Sequence, residues 1–403
     1  MSQHLPTIKN FVLASLLFLS LNAIHAQATF TKSRDEVVSL MCSVNDHWQA
    51  TNTYKTTPFW HHAAYHTGNM EAYSITKNET YRLFSENWAK YNNWKGATSN
   101  DTANWKYTYG ETSSYVLFGD WQICFQTYAD LYSLDAVKDP AKLARAISVM
   151  EYEMRTSRND YWWWADGLYM VMPVMSKLYS ITGNVLYLKK LKEYFIYADN
   201  LMFDTEFSLY YRDANYVYPL QPTLYGLKNF WSRGDGWVFA GIARVLKDLP
   251  ANDTIVRPLL TQRFKGMAAS LKNTQQTEGY WTRSILDPAH APGYETSGTA
   301  FFCYGLFWGI NNGLLSKEVY LPTATKAWNY LQNIAVQPDL SVGYIQPIGD
   351  NPSPNTTVQP TSTANFGVGA FLLAAAETSR FMANNPASVG SKKKGSKPSR
   401  SAK

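Results

Sequence analysis

Several features that mark common protein classes are scarce or missing here. Only three cysteines, Cys42, Cys124 and Cys303, occur in 403 residues. They are too few and too scattered for a disulfide framework, and no CxxC pair points to zinc. No Gly-rich phosphate loop, GxSxG elbow or dinucleotide-binding fingerprint is present, so nucleotide chemistry and serine-esterase chemistry have no foothold. Long apolar runs are confined to the leader, which leaves no candidate membrane span in the body. Charge of one sign is scarce as well. The formal net charge is +6, but Ser391–Lys403 alone holds six Lys/Arg and no acid, and Lys9 lies in the leader. Taking these away leaves −1 for the body, so no basic stripe argues for a nucleic-acid partner. The run 386–403 reads as a solvated basic tail.

Aromatic side chains are abundant: 14 Trp, 28 Tyr and 19 Phe, 15% of the chain. So many rings exclude a disordered or fibrous body. Residues 1–28 read as a secretory signal. Lys9 supplies the positive region, Phe11–Leu21 the short apolar core, and Ala26-Gln27-Ala28 the small residues of a cleavage site, with cleavage after Ala26 as the alternative. The protein is therefore expected to be exported, periplasmic or secreted, without a membrane span.

Residues 29–385 show no linker or composition break and are expected to form one domain. Apolar residues recur at i, i+3, i+4 and i+7 over Arg34–Gln49, Met70–Trp94, Trp121–Leu134, Pro140–Arg155, Leu168–Thr182, Val185–Leu201, Trp237–Leu249, Val256–Asn273, Ser297–Asn311, Tyr320–Ile334 and Phe366–Asn384. A helix pair about every 50 residues gives about six helical hairpins, with strand signals confined to loops such as Gly343–Pro347. The connecting loops carry the Trp, Asp and Arg. The predicted fold is all-α, a closed (α/α)6 barrel with a pocket at one end.

Three loops carry the candidate chemistry. Asp160-Tyr-Trp-Trp-Trp-Ala-Asp-Gly-Leu168 precedes a helix. Three consecutive tryptophans cannot all lie on one buried face, so at least one is expected to line a cavity. Among such rings Asp166 would lose water, and its raised pKa would suit a general acid; an N-capping role is the equal alternative. Asn229-Phe-Trp-Ser-Arg-Gly-Asp-Gly-Trp237 places two glycines around Asp235, which reads as a tight turn carrying Arg233 and Trp237 on opposite sides. An Arg fork beside an indole would receive a sugar carboxylate; structural stacking of Arg on Trp competes. In Phe118-Gly-Asp-Trp121, Asp120 is a second acid at the same end, with an N-cap again the competitor. Leu209-Tyr-Tyr-Arg-Asp213 and Gly293–Thr299 also mix polar groups with rings. His61, His62 and His66 cluster near Glu71, but HxxxH alone is a weak metal signal, and no metal or cofactor is expected.

Together, Trp162–Asp166, Leu209–Asp213, Phe230–Trp237, Leu246–Pro250 and Tyr294–Ala300 resemble glycoside hydrolase family 105, the unsaturated rhamnogalacturonyl-type hydrolases, related to the unsaturated glucuronyl hydrolases of family 88. The resemblance runs in order from about Arg34 to Ala376. It implies an (α/α)6 barrel that removes a Δ4,5-unsaturated uronic acid from the non-reducing end of oligosaccharides made by a polysaccharide lyase. The implied reaction is hydration of the C4=C5 enol ether: one Asp protonates C4, water adds at the neighbouring carbon, and the hemiketal collapses. By position, Asp166 matches the general acid/base and Trp164 a pocket ring beside it. Asp120 matches the second acid, and Arg233 and Trp237 match residues around the uronate. One position departs: where the family often has His, this chain has Arg212, always charged and longer. Arg212 would suit a sulfate on the next sugar, which favours unsaturated glucuronyl-(3-sulfated) rhamnose from ulvan over unsaturated galacturonyl-rhamnose from rhamnogalacturonan. A non-catalytic carbohydrate-binding barrel and an (α/α)6 lyase are the competing readings, and the chain is expected to act as a monomer.

Overall fold

In a computed structural model that describes residues 29–386, twelve α-helices follow one another along the chain. They are α1 (Arg34–Thr51), α2 (Trp60–Thr76), α3 (Glu79–Tyr91), α4 (Cys124–Leu134), α5 (Ala141–Arg155), α6 (Ala165–Thr182), α7 (Leu186–Met202), α8 (Ser232–Asp248), α9 (Arg257–Thr274), α10 (Thr296–Asn311), α11 (Lys317–Tyr330) and α12 (Asn365–Asn384). The leader 1–28 and the basic run 391–403 lie outside the described residues.

The even-numbered helices form a closed ring. Each packs on the next, α2 on α4, α4 on α6, α6 on α8, α8 on α10 and α10 on α12, and α12 returns to α2. The odd-numbered helices pack outside them, so the chain alternates outer and inner helix as an (α/α)6 barrel. Burial follows this division. Every residue of α8 from Ser232 to Leu246 and of α10 from Thr296 to Ile310 is buried. A helix apolar on all sides has no solvent face and belongs in a core. Outer helix α9 instead buries one stripe, Leu260, Phe264, Met267, Ala268 and Leu271.

Among the described residues sheet is reduced to one hairpin of two-residue strands, Phe203–Asp204 (β1) against Leu209–Tyr210 (β2). The expected single helix over Met70–Trp94 is in fact two. The chain breaks at Lys77, which takes a left-handed conformation (φ 55°), and Asn78 then caps α3 through the Thr80 N–H. A non-glycine residue in that region is uncommon, so no local residue signal marks the break. Helix α8 begins at Ser232, before the two glycines, so Gly234 and Gly236 lie inside its first turns and not in a tight turn. Gly236 is needed for contact: an added Cβ would lie 3.2 Å from Gly298 Cα and from Phe301 Cβ on α10.

Ring closure also rests on glycine. A Cβ on Gly68 of α2 would sit 2.1 Å from the Gly369 carbonyl oxygen of α12, and one on Gly369 would sit 2.4 Å from the Ala64 oxygen. At the far end of the barrel the inner helices meet through ions. Buried Glu71 of α2 binds Lys247 of α8 and Arg380 of α12, each at 2.6 Å. Burial would raise its carboxyl, but the charges of these two partners, with Arg244 adding to them, hold it well below the usual range. Gly68→Ala should destabilise the fold by about 3 kcal/mol, the upper part of the overpacking range, because its obstacle is backbone that cannot rotate away. Chemical denaturation of the variant beside the wild type checks this.

Candidate active site

The inner helices all begin at the same end of the barrel, and the site lies there. Their N-termini bring positive partial charge towards it, which favours an anionic ligand. Asp120 sits in a 3₁₀ turn, Gly119–Trp121, just before α4. Asp166 is the second residue of α6, behind Trp164, whose extended backbone (φ −137°, ψ 152°) starts the helix. That backbone pairs with the arm leaving β2: Trp164 bridges Asp213, and Ala165 N–H donates to Arg212 O at 2.8 Å. Arg212 is thereby fixed beside Asp166.

These groups open on a cavity of about 670 Å³. Asp120, Trp163, Trp164, Asp166 and Arg212 line it with Phe59, Trp60 and His61 from the start of α2, Tyr109 and Glu111 from the loop before Asp120, Met170, and Ile348–Asp350 from a long loop before α12. Phe59, Phe118 and Trp164 form an aromatic cluster of their own, apart from the main core, with Trp60, Trp121 and Trp163 against it. Trp164 packs at a tilt against Phe118 (4.8 Å) and Trp163 (4.7 Å), while Trp162 turns away to pack on Tyr194. Two of the three consecutive tryptophans therefore face the cavity.

Removal of water governs the electrostatics. Burial raises the Asp166 carboxyl, with Arg212 and then Arg233 pulling the other way. Burial raises Asp120 further, and the charge of Asp166 adds to it. Two acids that share a dry cavity resist losing both protons. Arg212 Nε lies 3.9 Å from Asp166 Oδ2, its Nη1 binds Asp213, and its guanidinium sits over Trp163 at 5.6 Å. His61 is held below its ordinary range by burial, with Glu111 opposing, and its Nδ1 has no partner.

Two of the sequence-selected residues do not reach the cavity. Arg233 is wholly buried behind the wall: Nη1 donates to Gln346 O at 2.7 Å and Nη2 to Pro347 O at 2.9 Å, with the guanidinium over Trp231 and Phe366. Trp237 is wholly buried among Tyr169, Phe301 and Trp60. The arrangement expected for a carboxylate receptor at this motif is thus corrected. Starting α8 at Ser232 turns both side chains into the packing, and the stacking alternative describes Arg233, on Trp231 in place of Trp237.

With this geometry, comparison with known proteins is informative. The family model for Glycosyl Hydrolase Family 88 matches residues 26–382. The chain belongs to that family. It is 32% identical over 329 residues, 79% of this chain and 83% of the relative, to the unsaturated 3S-rhamnoglycuronyl hydrolase of Formosa agariphila. A solved family 88 glycosyl hydrolase from Bacteroides vulgatus is 55% identical with a TM-score of 0.85, covering 87% of this chain and all of its own. A solved protein described as a polysaccharide lyase is 58% identical with a TM-score of 0.84, covering 87% of this chain and 99% of its own.

As a family 88 glycoside hydrolase the protein needs acid groups in a cavity, and sequence reasoning found two of four. It missed Glu111 and Asp350, and it read His61 only against a metal site. The aromatic run Phe59-Trp60-His61 directly before an apolar stretch was the available signal, hidden because the start of α2 was not recognised. Among the described residues no group of three His, Cys, Asp or Glu side chains could hold a metal ion. His66 is instead packed on Trp88 with Nδ1 against Ser85 Oγ at 2.9 Å.

The raised carboxyls make a pH-dependent prediction. A group whose pKa is higher folded than unfolded adds stability at low pH that is lost as pH rises. Asp120→Asn should therefore raise the melting temperature at mildly alkaline pH and leave it nearly unchanged in acid; thermal unfolding across pH checks both arms.

Proposed function

We propose that this enzyme removes a Δ4,5-unsaturated glucuronic acid from the non-reducing end of lyase-made oligosaccharides whose next sugar is a 3-sulfated rhamnose, as in ulvan. The observation that carries the reading is Asp166: a desolvated carboxyl, raised by burial, on a cavity walled by Trp163 and Trp164 and next to Arg212. Asp166 in its acid form delivers a proton to C4 of the enol ether and then, as carboxylate, accepts one from the water that adds at C5. The resulting hemiketal opens, and the freed C1 end releases the remaining sugar. Asp120 holds the substrate hydroxyls and, by sharing the cavity, helps keep one proton in the pair. Trp164 offers a face to the sugar ring.

In this reading Arg212 is the anion reader. It is the permanent cation on the cavity lining among the described residues, and the Formosa agariphila relative is named for a 3S-rhamnoglycuronyl substrate. The reading of 1–28 as a leader supports action outside the cytoplasm, on fragments released by an upstream lyase.

The enol-ether conjugation absorbs in the ultraviolet, so hydration should be followed as loss of absorbance with lyase-digested ulvan and with lyase-digested rhamnogalacturonan. Loss on ulvan fragments is expected, with Asp166→Asn lowering kcat by roughly 10²–10⁴-fold while the variant stays folded. Loss on rhamnogalacturonan alone would replace the sulfated substrate by the unsaturated galacturonyl one. No change with either would leave a binding barrel. A gain of absorbance on the uncut polysaccharides would favour elimination, the reading supported by the neighbour described as a lyase and by Tyr109 and His61 on the cavity wall.

Two further outcomes follow. Arg212→Ala should reduce kcat/KM on sulfated fragments at least about tenfold more than on desulfated ones, the scale of one lost charge-assisted contact; equal losses would assign Arg212 to the uronate. Because the acid form of a carboxyl with a raised pKa is required, kcat should be full at low pH and fall as pH rises through a value above the ordinary carboxylate range. A pH–rate profile whose basic limb lies within that ordinary range would contradict the assignment.

A further inference from the structure

The most distinctive motif in the sequence, Phe230-Trp-Ser-Arg-Gly-Asp-Gly-Trp237, has its polar side chains buried and aimed away from the cavity. What they hold are two arms that line the cavity side by side, joined where Asn351 Nδ2 donates to the Tyr216 hydroxyl at 3.2 Å. Asp235, wholly buried, accepts the Tyr210 N–H at Oδ1, 2.8 Å, and Tyr210 leads directly to Arg212. Arg233 donates to the Gln346 and Pro347 carbonyls, and Trp231 Nε1 donates to Gln346 Oε1 at 2.8 Å. Gln346 then reaches along its own loop to Asn351 O at 2.8 Å. Between these anchor points lie Ile348, Gly349 and Asp350, which line the cavity. Ile348 is 64% exposed, so the loop has little core of its own to hold it. A second buried arginine, Arg283, donates to Ser353 O at 2.7 Å and closes the loop's far end.

The chemistry suits this task. A guanidinium presents several N–H donors in one plane and can serve two successive carbonyls at once, which an ammonium cannot do with fixed geometry. Trp231 at 4.5 Å and Phe366 at 5.0 Å hold that plane from either side. Both terminal nitrogens are bound and the side chain is fully covered, so Nε, which has no partner, is also shut away from the cavity.

We propose that Arg233 is a positioning residue that latches the 346–350 loop, so that the first turn of α8 holds the Asp350 arm in fixed register beside the Arg212 arm on the cavity wall. The latch is a statement about the loop and stands apart from the substrate; its kinetic consequence rests on the hydrolase reading above. A loosened wall removes contacts made equally in ground and transition states, so its cost falls on KM, whereas Asp166 stands on α6 and keeps its place.

The test is Arg233→Lys in the full chain, with endoproteinase Asp-N as the probe of the loop at Gly349–Asp350 and the cut mapped by mass. Cleavage there should be at least about tenfold faster than in the wild type, as expected when a segment with few contacts loses its tether. On unsaturated fragments KM should rise about tenfold or more with kcat within about threefold. If Arg233→Lys does not fold, Arg283→Lys and Gln346→Met, which release the same loop from its other ties, should give the same gain in cleavage. Unchanged cleavage in a folded Arg233→Lys would overturn the latch. A raised KM without added cleavage would also overturn it and return Arg233 to the substrate. Faster cleavage in a protein inactive on every unsaturated fragment would keep the latch and retire the hydrolase reading instead.

Discussion

Closure of the helix ring between α2 and α12 is the constraint on which the other features depend. Two backbones some three hundred residues apart in sequence meet at Gly68 and Gly369 with no room for a Cβ on either. That contact fixes the ring's circumference and thereby the separation of the turns that start α4, α6 and α8. A wider ring would part Asp120 from Asp166, and with them the shared desolvation that raises both carboxyls. The ion cluster around Glu71 at the opposite end ties α2 to α12 a second time and adds α8. Buried charges of this kind specify an arrangement more than they add net stability, since each must first be stripped of water.

The two ends of the barrel use similar residues for opposite purposes. At the far end, Glu71 meets cations at short range and is held ionised. At the cavity end, Asp120 has no cation in direct contact and Asp166 only a distant one, Arg212 at 3.9 Å. The difference is geometric. Helix C-terminal segments can point long Lys and Arg side chains across the ring, whereas the N-terminal turns are walled by rings that exclude water and offer few donors. Acid catalysis needs the second environment, because a carboxyl that is paired at close range has no proton to give.

The fold was legible in the sequence for a plain reason: inner and outer helices differ in how much of their circumference is apolar, and that is a linear signal. The helices α1, α5, α7, α9 and α12 begin and end within two residues of the pattern. Where the reading slipped, local chemistry was overruled by packing. Lys77 breaks a pattern that stays apolar on both sides of it. The glycines around Asp235 resemble a turn, yet they lie in α8 because Trp231 and the backbone of α10 press against them. Of the site, Asp120, Trp164, Asp166 and Arg212 could be picked out as polar or aromatic residues at helix starts. Glu111 and Asp350 could not, since they reach the cavity from loops that carry no periodic signal, and His61 stayed hidden with the unrecognised start of α2.

The sequence by itself determined an all-helical body of paired helices and which loops carry acids, arginine and tryptophan, because periodicity and residue chemistry are properties of the chain read in order. Only the tertiary structure decided what those residues face. Arg233 and Trp237 look outward-directed in sequence and are buried braces in the fold, while Asp350, unremarked in its loop, stands on the cavity wall. The direction of a side chain depends on the phase at which its helix begins and on which distant carbonyls come within reach of it. Both are fixed by ring closure, a long-range constraint that no local stretch of sequence encodes.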